Sequence, residues 1–141
     1  MLVLDASVAV KALLLEPGSD RATALLAGEP DLVAPSIIIV EVLAAITRAH
    51  RADRIGAGLA REIASNWRQL IADGGLVCAP DDLLLETAVD IALAIRHPLQ
   101  DCLYLALALH LDCPLVTADR TLIERGATAH AKVQLLDEWP G

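Results

Sequence analysis

The chain has 141 residues, a formal net charge of -8, 55% hydrophobic and 21% charged residues. This composition excludes a disordered segment, and the acid excess weighs against a protein that holds nucleic acid through a broad basic surface, because phosphate contacts come from Lys and Arg. Aromatic residues make up 2% and Phe is absent, so the core has to be aliphatic.

A chain of this length is expected to form one domain over residues 1–141, burying roughly 70% of the surface its unfolded form exposes. Cys78, Cys102 and Cys113 are odd in number and lack close C-x-x-C spacing, which points to buried thiols and not to disulfides or a zinc site. The first residues carry no basic flank or apolar h-region, and no uninterrupted apolar run approaches the ~18 residues of a membrane span. The expected location is cytoplasmic, without membrane association.

Leu2 to Leu4 reads as a short buried strand, followed by a helix from Ala6 to Leu15 that stops at Pro17-Gly18. Ser19 or Asp20 caps a second short helix ending near Gly28. Pro35-Ser36 marks the next start, with Ser36 capping a helix through Ile39, Val42, Leu43 and Ile46 whose C-terminal end is basic. After Gly56 and Gly58, Ile63, Trp67, Leu70 and Ile71 recur at helical spacing, placing Trp67 in the core, and Gly74-Gly75 ends that helix. Leu76 to Ala79 is a candidate strand. Asp81 or Asp82 then caps a helix running to about Arg96, broken by His97-Pro98. Leu99 to Leu111 is apolar nearly all round, as a central helix is. Leu115 to Thr117, Thr121 to Arg125 and Val133 to Leu136 complete the pattern as strand, short helix and strand. Strands alternating with helices predict an α/β fold with a mainly parallel central sheet flanked by helices.

Against that frame, four acids stand where apolar segments end or helices begin. Asp5 follows Leu2-Val3-Leu4, Glu41 follows Ile37 to Val40, Asp101 opens the segment Cys102 to Ala108, and Asp119 closes Leu115 to Ala118. Parallel strands at the two ends of the chain would present their carboxyl ends on one sheet edge, where open α/β folds place their sites. Carboxylates gathered there repel, and a hard cation such as Mg²⁺ or Mn²⁺, with its preference for oxygen ligands, is the usual reason to tolerate it. Singly, each acid has a local explanation: Asp5 and Asp119 as helix caps, Asp101 as a first-turn charge, Glu41 as an exposed helix residue. As a set within apolar context they favour a site. Ser7 and Thr117 lie two residues from Asp5 and Asp119 as nearby hydroxyls.

The segments Leu4 to Lys11, Ala34 to Glu41, His97 to Ala108 and Leu115 to Arg120 together resemble the PIN-domain ribonucleases, specifically the VapC toxins of toxin-antitoxin modules. The four segments span the chain in the family's order. The resemblance implies a PIN-like α/β/α sandwich and a Mg²⁺-dependent endoribonuclease, with Mn²⁺ as a substitute. It implies Asp5 and Asp101 as direct ligands, Asp119 completing the cage or holding a water, and Glu41 binding a second ion or activating the water, with no protein nucleophile. It further implies an RNA substrate, a small cognate antitoxin protein and a homodimer. The chain departs from the family at Gln100, often an aromatic, and at Ala44, commonly Asn.

Arg120, beside Asp119, is a candidate phosphate contact; Lys11, Arg48, Arg51 and Arg54 read better as solvated charge. His50, His97, His110 and His130 are dispersed without ligand spacing such as H-E-x-x-H, so a histidine metal site is not expected. Phosphotransfer folds also cluster acids at strand ends, but Asp81-Asp82 sits mid-chain and Ser7 stands where an aspartyl-phosphate phosphatase has a second Asp. The remaining alternative is a catalytically silent PIN-like module that binds a partner protein.

Overall fold

The computed structural model describes residues 1–130 and 132–140. Five strands, β1 (Leu2–Leu4), β2 (Leu32–Pro35), β3 (Val77–Ala79), β4 (Leu115–Thr117) and β5 (Val133–Leu135), form one sheet in the order β3-β2-β1-β4-β5. Every pairing is parallel. Seven α-helices among the described residues connect and flank them: α1 (Ala6–Leu13), α2 (Ser19–Gly28), α3 (Ile37–Arg51), α4 (Ala57–Ala72), α5 (Leu85–Ile95), α6 (Leu99–Leu111) and α7 (Arg120–Gly126).

β2 is the strand that the sequence reading missed. Its run Leu32-Val33-Ala34 is short and ends in Pro35, which reads locally as a helix start. In the sheet, Pro35 is the last residue of the strand, in register with Ala79, where a missing N–H interrupts no further ladder. Three caps also differ. Gly18, with φ +91°, precedes α2, and Ser19 is already helical. Ser36 turns its hydroxyl to the Ala79 carbonyl at 3.0 Å. Asp81, expected to cap its own helix, instead accepts the Ile37 N–H at 3.0 Å, so it satisfies the start of α3 from 44 residues away. Its own segment forms one 3-10 turn, Asp81–Leu83, before α5. The first helix ends at Leu13, short of the expected Leu15, and Leu15 is 96% exposed.

The core is aliphatic, as the composition requires. α6 is buried from Cys102 to Ala108 and packs on β1, β2 and β4, which explains why it carries no polar stripe. Trp67 is buried and donates its indole N–H to the Ile39 carbonyl at 3.3 Å, locking α4 onto α3. Gly75 lets the chain pass close to α4: a Cβ there would meet Leu70 Cδ1 at 2.5 Å and the Leu70 carbonyl oxygen at 3.1 Å, so the Leu70 side chain would have to turn aside. No helix among the described residues is long and apolar enough to cross a membrane.

The strand order decides where a site lies. From β1 the chain builds β2 and β3 to one side, then crosses to add β4 and β5 on the other, so the connections leaving β1 and β4 diverge. The crevice at their carboxyl ends is the topological switch point, where open parallel sheets bind ligands.

Candidate active site

Asp5 leaves β1 into this crevice. It occupies the N-cap position of α1, yet its carboxylate makes no cap hydrogen bond, contrary to the local explanation for it. The Ser7 hydroxyl and the Thr117 hydroxyl, the latter at 2.8 Å, both donate to Oδ2. Each hydroxyl is held in turn by an amide: Ala118 N–H donates to Ser7 Oγ and Asp119 N–H to Thr117 Oγ1, both at 3.0 Å. The first turn of α1 and the end of β4 are thereby stitched across the switch point. Both bonds fall on one oxygen, leaving Oδ1 without a partner among the described residues.

Asp5 is only 5% exposed. Burial pushes its carboxyl up to about 6; the Ser7 and Thr117 hydroxyls oppose the rise, and the Asp101 and Glu41 charges add to it. Glu41, half-buried in the second turn of α3, accepts the Tyr104 hydroxyl at 2.6 Å. Burial raises Glu41 above the ordinary carboxylate range, Tyr104 opposes this, and Asp101 and Asp81 reinforce it. Tyr104 itself is fully buried on α6, and burial together with the charges of Asp5 and Glu41 keeps its hydroxyl protonated.

Asp101, in the first turn of α6, accepts from His97 Nε2 at 2.6 Å. Asp119 does cap its helix: Oδ1 accepts the Thr121 N–H at 2.9 Å. A carboxylate has several lone-pair sites, so this bond leaves capacity for a ligand. His97, Asp101 and Asp119 offer ligand atoms lying within 4.8 Å of one another. Among the described residues no Lys or Arg pairs with Asp5, Glu41, Asp101 or Asp119. A mainly carboxylate donor set with no Lys or Arg partner, two members of which are pushed toward protonation, fits a hard divalent cation.

A groove of about 430 Å³ runs beside these acids, lined among others by Ser7, Lys11, Glu41, Ala44, Arg48 and Asp119. Arg120 is exposed and lies 3.9 Å from the equally exposed Asp137. Lys11 and Arg54 both reach Glu16, at 3.9 and 3.3 Å.

Two residues in contact with the acids escaped the sequence reading. His97 has no histidine-pair ligand spacing, and it reaches Asp101 from the corner before α6, a placement that local helical spacing does not give. Tyr104, three residues beyond Asp101 and the chain's single tyrosine, did carry a signal in its helical spacing.

A parallel α/β sheet with carboxylates at its switch point offers oxygen ligands suited to a hard cation and to phosphoryl hydrolysis. The PIN domain family profile matches residues 2–127, and the chain belongs to that family. It is 32% identical over 126 residues to Ribonuclease VapC9 of Mycobacterium tuberculosis, covering 89% of this chain and 91% of the relative. Its fold is similar to the crystal structure of M. tuberculosis VapC20, described as a sarcin-ricin loop cleaving toxin, with TM-score 0.69, 16% identity and coverage of 89% and 95%. A toxin-antitoxin complex from Klebsiella pneumoniae matches with TM-score 0.63, 17% identity and coverage of 96% and 98%.

Proposed function

We propose that this chain is the endoribonuclease toxin of a toxin-antitoxin module, a single cytoplasmic nuclease domain that hydrolyses RNA phosphodiester bonds with Mg²⁺, for which Mn²⁺ substitutes. The observation that supports this reading is that, in a PIN-family chain, Asp5 feels the charges of Asp101 and Glu41 while Asp101 and Asp119 offer ligand atoms within 4.8 Å of each other, with no Lys or Arg among the described residues paired to Asp5.

In this reading Asp5 and Asp101 would hold the ion directly, Asp119 would complete its oxygen shell, and Glu41 would hold a second ion or take the proton from the attacking water. The bound ion supplies Lewis acidity at the phosphoryl group and charge stabilisation at the leaving oxygen. The protein supplies orientation. Ser7 and Thr117 occupy Asp5 Oδ2 and leave Oδ1 for the ion, while Tyr104 occupies Glu41 Oε1 and leaves the other oxygen for the water. Burial that raises Glu41 also makes it a better base than an exposed carboxylate. Lys11 and Arg48, read from the sequence as solvated charge, line the groove and Arg120 shares a second cleft with Lys11, which makes the three candidate phosphate contacts.

Two partners beyond RNA follow. A small antitoxin would place a basic side chain against the acids. A second copy of the chain would cover the apolar stripe Leu85, Val89 and Leu93, spaced every four residues on α5 and 42%, 43% and 75% exposed, together with Leu83.

The test is cleavage of a sensitive RNA by the purified chain in Mg²⁺, Mn²⁺ or chelator. Asp5→Asn and Asp101→Asn are each expected to lower the rate by orders of magnitude with the fold intact. Wild-type turnover in either variant would remove the assigned site. A wild-type chain that binds the antitoxin but never cleaves would establish the silent protein-binding module instead.

A further inference from the structure

We infer that His97 is a positioning residue of this site: it donates Nε2–H to Asp101 Oδ2 and so fixes the orientation in which Asp101 presents its other oxygen to the ion. The inference rests on the metal-site reading of Asp101 given above.

The contact is 2.6 Å, and the histidine side chain is only 3% exposed. Its other ring nitrogen, Nδ1, is buried and has no hydrogen-bond partner among the described residues. Nε2 faces a carboxylate oxygen, which only accepts, so the ring donates in this contact. A buried unpartnered nitrogen has to be explained, and stability alone does not explain it, because an aliphatic side chain would fill the same place without an orphan. The donor to Asp101 does.

The backbone around His97 is fastened as a positioning device requires. Arg96 takes a left-handed conformation, φ +53°, as the C-cap of α5, and Pro98 is the N-cap of α6, so the ring is set in a rigid corner between two packed helices. The Arg96 carbonyl accepts Arg125 Nη1 at 2.7 Å, and His97 N–H donates to the Ala92 carbonyl at 3.3 Å. Arg125 belongs to α7, the helix that Asp119 opens. The corner that orients Asp101 is therefore tied to the element that carries Asp119. The nitrogen facing the acids is engaged with Asp101, so His97 acts through that carboxylate and not as a ligand. Hydrogen-bonding partners of metal ligands typically change metal affinity by roughly 10- to 100-fold.

The chain can be compared as wild type, His97→Gln, His97→Asn, His97→Leu and Asp101→Asn, with Mn²⁺ titrations by calorimetry and by electron paramagnetic resonance of the bound ion. Gln places an amide N–H at the reach of histidine Nε2, whereas Asn falls short. We expect His97→Asn and His97→Leu to weaken Mn²⁺ binding by roughly 10- to 100-fold, and His97→Gln to recover most of it. Cleavage by His97→Asn should return as Mn²⁺ is raised. If His97→Leu fails to fold, as judged by circular dichroism, the Gln and Asn pair carries the comparison. Three results overturn the inference while leaving the metal site standing: wild-type affinity in the His97 variants, a Gln variant no better than Asn, or an imidazole nitrogen directly coordinated to Mn²⁺. Wild-type affinity in Asp101→Asn instead removes the metal reading, and the inference with it.

Discussion

Replacing Asp5 with Asn isolates the electrostatic cost of the site from its hydrogen bonding. Both hydroxyl donors act on Oδ2, so the Asn carbonyl can take that position and keep both bonds, while its amide group turns toward the remaining acids. What the substitution removes is a buried charge. The rise of the Asp5 carboxyl from 3.8 to about 6 corresponds to about 3 kcal/mol. Because the folded state holds this proton more tightly than the unfolded chain, the stabilisation is fully present below about pH 4 and is lost as pH rises through about 6. Above that, metal-free wild type carries an ionised Asp5 that the fold disfavours. Asp5→Asn should therefore match wild type near pH 4 and exceed it by up to about 3 kcal/mol at pH 7, roughly 10 °C in melting temperature for a domain of this size. The assay is a series of thermal melts in chelator across that range, repeated with Mn²⁺. A cation at a hundredfold excess over its dissociation constant should restore about 2.7 kcal/mol to wild type and little to the variant. A variant less stable than wild type at pH 7 in chelator, or an advantage that does not change with pH, would refute the reasoning.

Tyr104→Phe removes the donor to Glu41 Oε1 without opening a cavity, and should cost about 1 to 2 kcal/mol in urea unfolding while slowing RNA cleavage, since Glu41 is then free to rotate. Asp119→Ala and Asp119→Asn should part company in chelator melts: Asn still accepts the Thr121 N–H and stays near wild type, whereas Ala loses about 1 kcal/mol, and both should blunt the response to Mn²⁺. Equal stability of the two would mean that the cap at α7 contributes nothing.

Much of the architecture was legible because its causes are local. The nearly all-round apolar run of α6, the spacing of Ile63, Trp67, Leu70 and Ile71 on α4, and the runs of β1 and β4 each follow from neighbours within a few residues, and the structure bears them out. The positions of the four acids were also readable, since each interrupts or closes an apolar segment. Where local cues conflict the reading failed: Pro35 concealed β2, and Ser36, a good cap by composition, was engaged elsewhere.

What the acids do depends on partners that no local pattern reveals. Asp5 was open to reading as a helix cap until the fold brought Thr117 to it across 112 residues, and Glu41 looked like an exposed helix charge until Tyr104 reached it across 63. Which segments are apolar, where they break, and that carboxylates stand at the breaks can be read along the chain, because periodicity and burial preference are properties of short stretches. The tertiary structure alone decided which oxygen of each carboxylate is occupied and how strongly burial raises it, because hydrogen bonding and desolvation act through space, between strands and helices that the strand order brings together.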